Sequence, residues 1–304
     1  MSDLAKQYDA ILITGPTASG KSALALRLAR ESGGAVINAD SMQVYDTLRV
    51  LTARPSDEEM AGVPHHLYGT VAATRAYSTG EWLRDVAALL PRLRAEERLP
   101  IFVGGTGLYF KALTGGLSDM PEIPADVRLR LRARLKDEGP EALHQELSGR
   151  DRAMAAVLEP MDGQRIIRAL EVLEVTGKSI ADFQEKRGPM IVDPERALKI
   201  VVLPDRAVLR ERIDRRFGEM FEAGAVDEVR ALLALHPDPD VPAMRAIGVA
   251  QIADMLEGRM SAQDVVERSS ALTRQYAKRQ MTWFRNQMGE SWKRIDPADP
   301  QSLS

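Results

Sequence analysis

Gly15-Pro16-Thr17-Ala18-Ser19-Gly20-Lys21-Ser22 follows the apolar run Ala10-Ile11-Leu12-Ile13-Thr14 and opens a segment, Lys21 to Glu31, with Leu24 and Leu28 at helical spacing. A glycine-rich stretch ending in Lys-Ser, set between a strand and a helix, is the pattern of a phosphate-binding P-loop. Backbone N–H groups of the loop and the helix N-terminus converge on an anion. Lys21 adds a positive charge, and the Ser22 hydroxyl is placed for Mg2+. The pattern points firmly to a phosphate compound, nucleotides such as ATP included, without saying which one.

Working outward, Val36 to Asp40 reads as a second strand, Tyr77 to Glu97 as a long amphipathic helix, and Leu99 to Val103 as a third strand closed by Gly104-Gly105. Strands alternating with helices predict a parallel sheet with helices on both faces. From Leu117 to Pro194 no such strand appears, and the stretch is rich in Arg, Leu, Glu and Ala. Within it, Val127, Leu131 and Leu135 recur at i, i+4, i+8, which predicts a helix over Val127 to Lys136 beginning near Pro124. Leu198 to Leu203 then resumes the buried-strand pattern. The fold class expected is α/β: a P-loop NTPase-like parallel sheet core flanked by helices, formed by residues 1–116 and 195–304, with an all-helical insertion domain at 117–194.

The chain has 304 residues, 44% of them hydrophobic and 28% charged, the composition of a protein with a proper core. No run of 18 apolar residues offers a membrane span. With no cysteine and four histidines, disulfides and Cys-ligated metals are excluded, and a cytoplasmic protein is expected. Net charge is −3, so any nucleic-acid affinity must come from local patches. One such patch lies from Arg268 to Gly289, which holds five basic residues and no acidic one. On a helix, Arg274, Lys278 and Arg285 share a stripe, with Tyr276, Gln280 and Trp283 roughly opposite. Such a stripe serves either as a solvated face or as a contact for a phosphate backbone. His65 and His66, being adjacent, face opposite ways on a strand and make a poor metal pair.

Nucleotide-hydrolysing P-loop proteins place a Mg2+-holding Asp at the end of a later apolar strand. Here Ile101-Phe102-Val103 runs into Gly104-Gly105-Thr106, and Asp205 comes very late. Asp40, at the end of the second strand, lies on the edge where the P-loop opens. A carboxylate there is a general base, a partner of Mg2+, or a helix cap continued by Ser41.

Beyond the P-loop, an ordered set of stretches runs along most of the chain. It comprises Asp40-Ser41-Met42-Gln43-Val44-Tyr45, Thr52-Ala53-Arg54-Pro55, Val63-Pro64-His65-His66-Leu67 and Val103-Gly104-Gly105-Thr106-Gly107-Leu108-Tyr109, followed by Gln164 to Glu171, Arg212 to Met220 and Arg274 to Arg285. With these the sequence resembles the tRNA dimethylallyltransferases, also called tRNA isopentenyltransferases. The resemblance implies transfer of a dimethylallyl group from dimethylallyl diphosphate to N6 of adenosine-37, beside the anticodon of tRNA, by a monomer using Mg2+. It implies that Asp40 is the base and that the P-loop with Lys21 holds the diphosphate, with Arg216 as a second cation. It further implies tRNA contacts at Asp40, Ser41, Met42, Gln43, Thr106, Arg128, Gln164, Arg165, Ile166, Ile167, Arg168, Arg245, Gly248, Lys278, Arg279, Gln280, Trp283 and Arg285. The chain departs from the family pattern at Asp46-Thr47 and at Val249-Ala250. Three rival readings share the P-loop: an adenylate isopentenyltransferase acting on free AMP or ATP, a small-molecule kinase, and a non-catalytic P-loop RNA-binding protein, for which Asp40 facing the pocket would be incidental.

Overall fold

β1 (Ala10–Thr14) is flanked on both sides, by β4 (Pro100–Gly104) and β5 (Ala197–Val202), in a sheet whose six strands are all parallel. β2 (Ala35–Asn38), β3 (His65–His66) and β6 (Lys293–Ile295) complete the order β3-β2-β4-β1-β5-β6. This computed structural model describes residues 3–185 and 188–297; residues 298–304 of the expected core lie outside them. After β1 the chain crosses to β2 and returns with β4 between them, and only later adds β5 on the other side. The order therefore reverses at β1, and such a reversal opens a crevice at the C-terminal edge of a parallel sheet.

The central strands read as unbroken apolar runs because both faces of the sheet are covered. Ile11, Ile13, Ile101 and Val103 pack on Leu24 and Leu28 of the helix Lys21–Ser32. Phe102, pointing the other way, meets Trp82 of the helix Thr79–Ala95 edge-on at 6.3 Å, and Trp82 stacks on Tyr109 at 4.3 Å. That helix starts two residues later than Tyr77, where Ser78 and Glu81 form a capping box.

β2 stops at Asn38, before Asp40. The buried Asn38 side chain accepts the Asp40 N–H (2.9 Å) and donates to the carbonyls of Asp40 and Leu67 (3.0 Å each), which turns the chain out of the sheet. Across from this turn, Gly104 ends β4 where no side chain fits: a Cβ would overlap the Ala39 carbonyl and lie 2.7 Å from the Asp40 nitrogen. The two strand exits are thus held together, with the Ala39 N–H donating to Val103 O at 2.8 Å.

The chain divides into two units, residues 1–114 with 191–304, and residues 115–190. The return falls four residues before the expected 195, because the Ile191 and Val192 N–H groups both donate to Leu113 O at 3.1 Å. In the smaller unit the helices Ala125–Glu138, Pro140–Arg150 and Gly163–Thr176 enclose Leu131, Leu143, Leu147, Ile166 and Leu170. Pro124 is the N-cap of the first of these, one place before its first turn.

Because the exits of β2 and β4 leave no room at Gly104, Gly104→Ala should lower unfolding free energy by about 1–3 kcal/mol, the cost of forcing an extra methyl into a packed site. Urea denaturation checks this, and an unchanged midpoint would mean the two exits separate freely.

Candidate active site

The P-loop begins where β1 ends. Thr14 anchors it by donating its hydroxyl to Gly104 O at 3.0 Å. Ala18 (φ 61) and Gly20 (φ 90) take left-handed backbone, the conformation that curls successive N–H groups around an anion. Gly20 also precedes the helix Lys21–Ser32 with no side-chain cap, so the first N–H groups of that helix keep their capacity to bind an anion. Lys21 Nζ donates to Pro16 O at 3.2 Å, folded back over the loop. Ser19 Oγ is buried with no hydrogen-bond partner among the described residues, an orphaned donor in a loop made for an acceptor.

Asp40 stands opposite. Its Oδ1 accepts the Met42 N–H at 2.9 Å, an Asx turn. No helix follows, so the cap reading of Asp40-Ser41 does not hold. Thr106 steadies this turn, its Oγ1 accepting the Ser41 N–H (2.9 Å) and donating to Ser41 Oγ (3.2 Å). Oδ2 is left beside Gly105, 3.3 Å from where a Cβ would project. The Asp40 charge reaches groups from five segments. After burial it is the largest influence on Lys21, Arg216, Tyr68, Tyr109 and Tyr276, holding the two cations charged and the three phenols protonated.

Between the P-loop and Asp40 lies a cavity of about 360 Å3. Thr17, Ala18, Asp40, Ser41 and Arg216 form its polar end, and Leu51, Ile213, Phe217, Met220 and Ile247 its apolar wall. The apolar wall was not foreseen, although Ile213, Phe217 and Met220 recur at i, i+4, i+7 around Arg216 and that spacing marks one helix face. Met42, Arg245 and Arg279 also line the cavity, as the resemblance implies for residues that meet substrate. Arg245 pairs with Asp240 at 3.3 Å, and Arg279 sits 5.8 Å over the Tyr276 ring.

Other expected contacts are occupied elsewhere. Gln43 donates to the carbonyls of Thr52 and Ala53 (2.9 and 2.8 Å), holding the loop that carries Leu51. Gly248 (φ 103) lies behind the wall, where a side chain would press on Leu51 and Phe217. Gln280 is buried, and its amide is spent on Thr17 and Gly105. Trp283 lies flat against Gly107, while Lys278 and Arg285 are exposed on the helix Ala262–Gln287. Arg274 is ion-paired with Asp214, so the basic stripe does not offer three free cations. In the smaller unit Arg128, Gln164 and Arg165 are exposed. Ile166 and Ile167 are buried in the core of that unit and present no side chain to a partner, and Arg168 pairs with Glu171 at 3.1 Å. Asp205 caps the helix Arg206–Met220 by accepting the Ala207 and Val208 N–H groups, and so is committed away from any metal. At the Asp46-Thr47 departure, the Asp46 carboxylate accepts from Thr47 Oγ1 (2.8 Å) and Ala73 N (3.2 Å).

Fold and cavity together define a P-loop α/β protein whose phosphate cradle opens on an apolar chamber guarded by a carboxylate. The family model described as IPP transferase matches residues 43–287, and one described as Isopentenyl transferase matches residues 8–69. The chain is 71% identical over 297 residues to the tRNA dimethylallyltransferase of Agrobacterium fabrum, covering 98% of this chain and 100% of that one. It is 65% identical over 303 residues to the enzyme of that name from Rhizobium meliloti, covering 100% and 99%. Among solved structures, the tRNA isopentenylpyrophosphate transferase of Bacillus halodurans aligns with a TM-score of 0.66 at 35% identity, over 94% of this chain and 89% of that one. A eukaryotic dimethylallyltransferase acting on tRNA aligns with a TM-score of 0.79 at 26% identity, over 94% and 73%. The chain belongs to the IPP transferase family.

Burial pushes the Lys21 ammonium down to about 8, with Asp40 opposing and Arg216 adding to the shift. An anion in the loop favours the charged form. Affinity for inorganic diphosphate should therefore be full below about pH 8 and fall above it, by up to about tenfold per pH unit. Lys21→Arg, which stays charged, should remove the dependence. Calorimetric titration across this range checks it, and a flat wild-type profile would contradict it.

Proposed function

We propose that this chain transfers a dimethylallyl group from dimethylallyl diphosphate to N6 of adenosine-37 in tRNA, giving N6-(dimethylallyl)adenosine and diphosphate. The observation that carries this reading is the cavity itself, with Thr17 and Ala18 of the P-loop and the Arg216 cation at one end, an apolar wall beside them, and the Asp40 carboxylate, whose charge also acts on Lys21, facing both. Such a chamber matches an ester that is anionic at one end and hydrocarbon at the other.

In this scheme the P-loop N–H groups, Lys21 and Arg216 hold the diphosphate. The allylic C1–O bond breaks with its electron pair passing to the diphosphate oxygen, and N6 of the adenine bonds to C1. Asp40 takes the proton that N6 gives up. Cations placed where negative charge grows stabilise the transition state more than the ground state. The leaving group requires no positioned water, which accords with a β4 exit made of glycines. The Ser22 hydroxyl, exposed at the start of its helix and free of side-chain hydrogen bonds among the described residues, suits Mg2+ as a hard oxygen donor. When bound with the diphosphate, the ion would neutralise part of its charge. The target base has to leave the anticodon stack to reach Asp40. Lys278, Arg279 and Arg285 are well suited to meet phosphates of the tRNA backbone, and Arg128, Gln164 and Arg165 offer a second exposed set on the helical unit.

Asp40→Asn keeps the Asx turn but cannot accept a proton. Turnover should fall by about 10²–10⁴-fold, the worth of a general base, while tRNA affinity holds. Single-turnover assays with tRNA binding measured alongside test this, and near-normal turnover would remove Asp40 from the role.

A further inference from the structure

On the helix Ala262–Gln287, Gln280 turns inward directly after two charged side chains that do not. Lys278 and Arg279 are exposed, whereas Gln280 is only 6% exposed. Its Oε1 accepts the Thr17 N–H at 2.9 Å, and its Nε2 donates to Gly105 O at 3.0 Å. A Cβ at Gly105 would lie 2.3 Å from that same amide nitrogen, so a side chain there would have to displace the Gln280 tip. The contact joins three separate parts of the chain: the P-loop, the β4 exit and the C-terminal helix.

This arrangement changes what the loop can bind. A P-loop recognises phosphates by its backbone N–H groups, and one of them, on Thr17, is already satisfied from within. The helix end of the loop, from Gly20 onward, keeps its donors. The front of the loop, Thr17 and Ala18, faces the cavity, and beyond it stand Ile213, Phe217 and Met220 with the Asp40 carboxylate. A chain of two phosphates seated at the helix end has its donors. A third, reaching past Thr17, would meet the Gln280 carbonyl dipole, a carboxylate and hydrocarbon, and would displace the Gln280–Thr17 bond to gain a single N–H. A buried polar group robbed of its partner is costly.

We propose that Gln280 is a positioning residue that makes this loop selective for a diphosphate over a triphosphate, by withdrawing the Thr17 N–H from anion binding. The inference rests on the reading that the donor is a diphosphate ester, and it adds the residue that keeps nucleoside triphosphates from the same loop.

The test compares inorganic diphosphate with inorganic triphosphate, which differ by the one group at issue, by calorimetry at fixed free Mg2+. Wild type should bind diphosphate more tightly. Gln280→Ala frees the Thr17 N–H and opens the space, so triphosphate should tighten by about tenfold or more, the value of one hydrogen bond to a charged group. Diphosphate affinity should stay within about threefold. Gln280→Glu retains an acceptor for Thr17 while losing the donor to Gly105 O, so it should cost stability yet keep the preference for diphosphate, a separation that a purely structural role would not give. Gln280→Met preserves the buried volume and carries the same expectation as Ala should the smaller residue unfold the protein, with circular dichroism as the control. Affinities that move in parallel, or a preference unchanged in Ala and Met, would overturn the inference and leave the proposed function standing. A wild type that binds no diphosphate would overturn both.

Discussion

Everything at the catalytic end of this molecule depends on how closely two strand exits approach. β4 ends at Gly104, where a Cβ would overlap the Ala39 carbonyl, and at Gly105, the next residue, a Cβ would have to push the Gln280 amide aside. Because those side chains are missing, the turn after β2 lies directly on the turn after β4. Asn38, Thr106 and the Ala39 N–H then lock it there through hydrogen bonds that are buried or nearly so. Asp40 is held by its backbone and by one carboxylate oxygen, Oδ1, which accepts the Met42 N–H, and this leaves Oδ2 uncommitted among the described residues, on a side chain that lines the cavity. In the proposed role of base, a carboxylate held this way would need no reorganisation when substrate arrives.

The second constraint is electrostatic. Arg216 and Asp40 line one chamber, the Asp40 charge also reaches Lys21, and burial works against both cations. Arg216 further lowers Lys21, Asp40 sustains both cations, and Glu59 and Glu219 add to its support of Arg216. A diphosphate bound as proposed would reverse that balance, because it supplies more negative charge than Asp40 alone. It also offers acceptors to the uncapped helix start and to the orphaned Ser19 hydroxyl. The apolar wall of Ile213, Phe217 and Met220 lowers the dielectric in the cavity, so in the proposed reaction the same cations would act more strongly than they would in water.

Much of this was legible in the sequence, and the limits follow from where the information resides. β1, the P-loop and its helix are consecutive, so their pattern could be read locally, and the helical stretch before Leu198 announced itself by composition. β3 and β6 are two and three residues long and exist only because a neighbouring strand pairs with them; no periodicity can show that. Ile166 and Ile167 stand inside a stretch shared with the family, yet helical geometry turns them into the core of their unit while Gln164 and Arg165 stay outside. Gln280 was misplaced for a related reason. Its stripe on the helix was correctly read as opposite Lys278, but the partner across from it, Thr17, is 263 residues away. Arg274 lies on the basic stripe as expected, and only the fold reveals Asp214 beside it.

The central claim is that the five-carbon group goes to tRNA and not to a free nucleotide or to water. The direct measurement offers dimethylallyl diphosphate and Mg2+ with unmodified tRNA, AMP or ATP as acceptor, followed by digestion and mass analysis of the nucleosides. The account predicts a gain of one dimethylallyl group on adenosine-37 of tRNA, with AMP and ATP recovered unchanged. Prenylated AMP or ATP beside unmodified tRNA, or hydrolysis of ATP with no prenyl transfer at all, would contradict it.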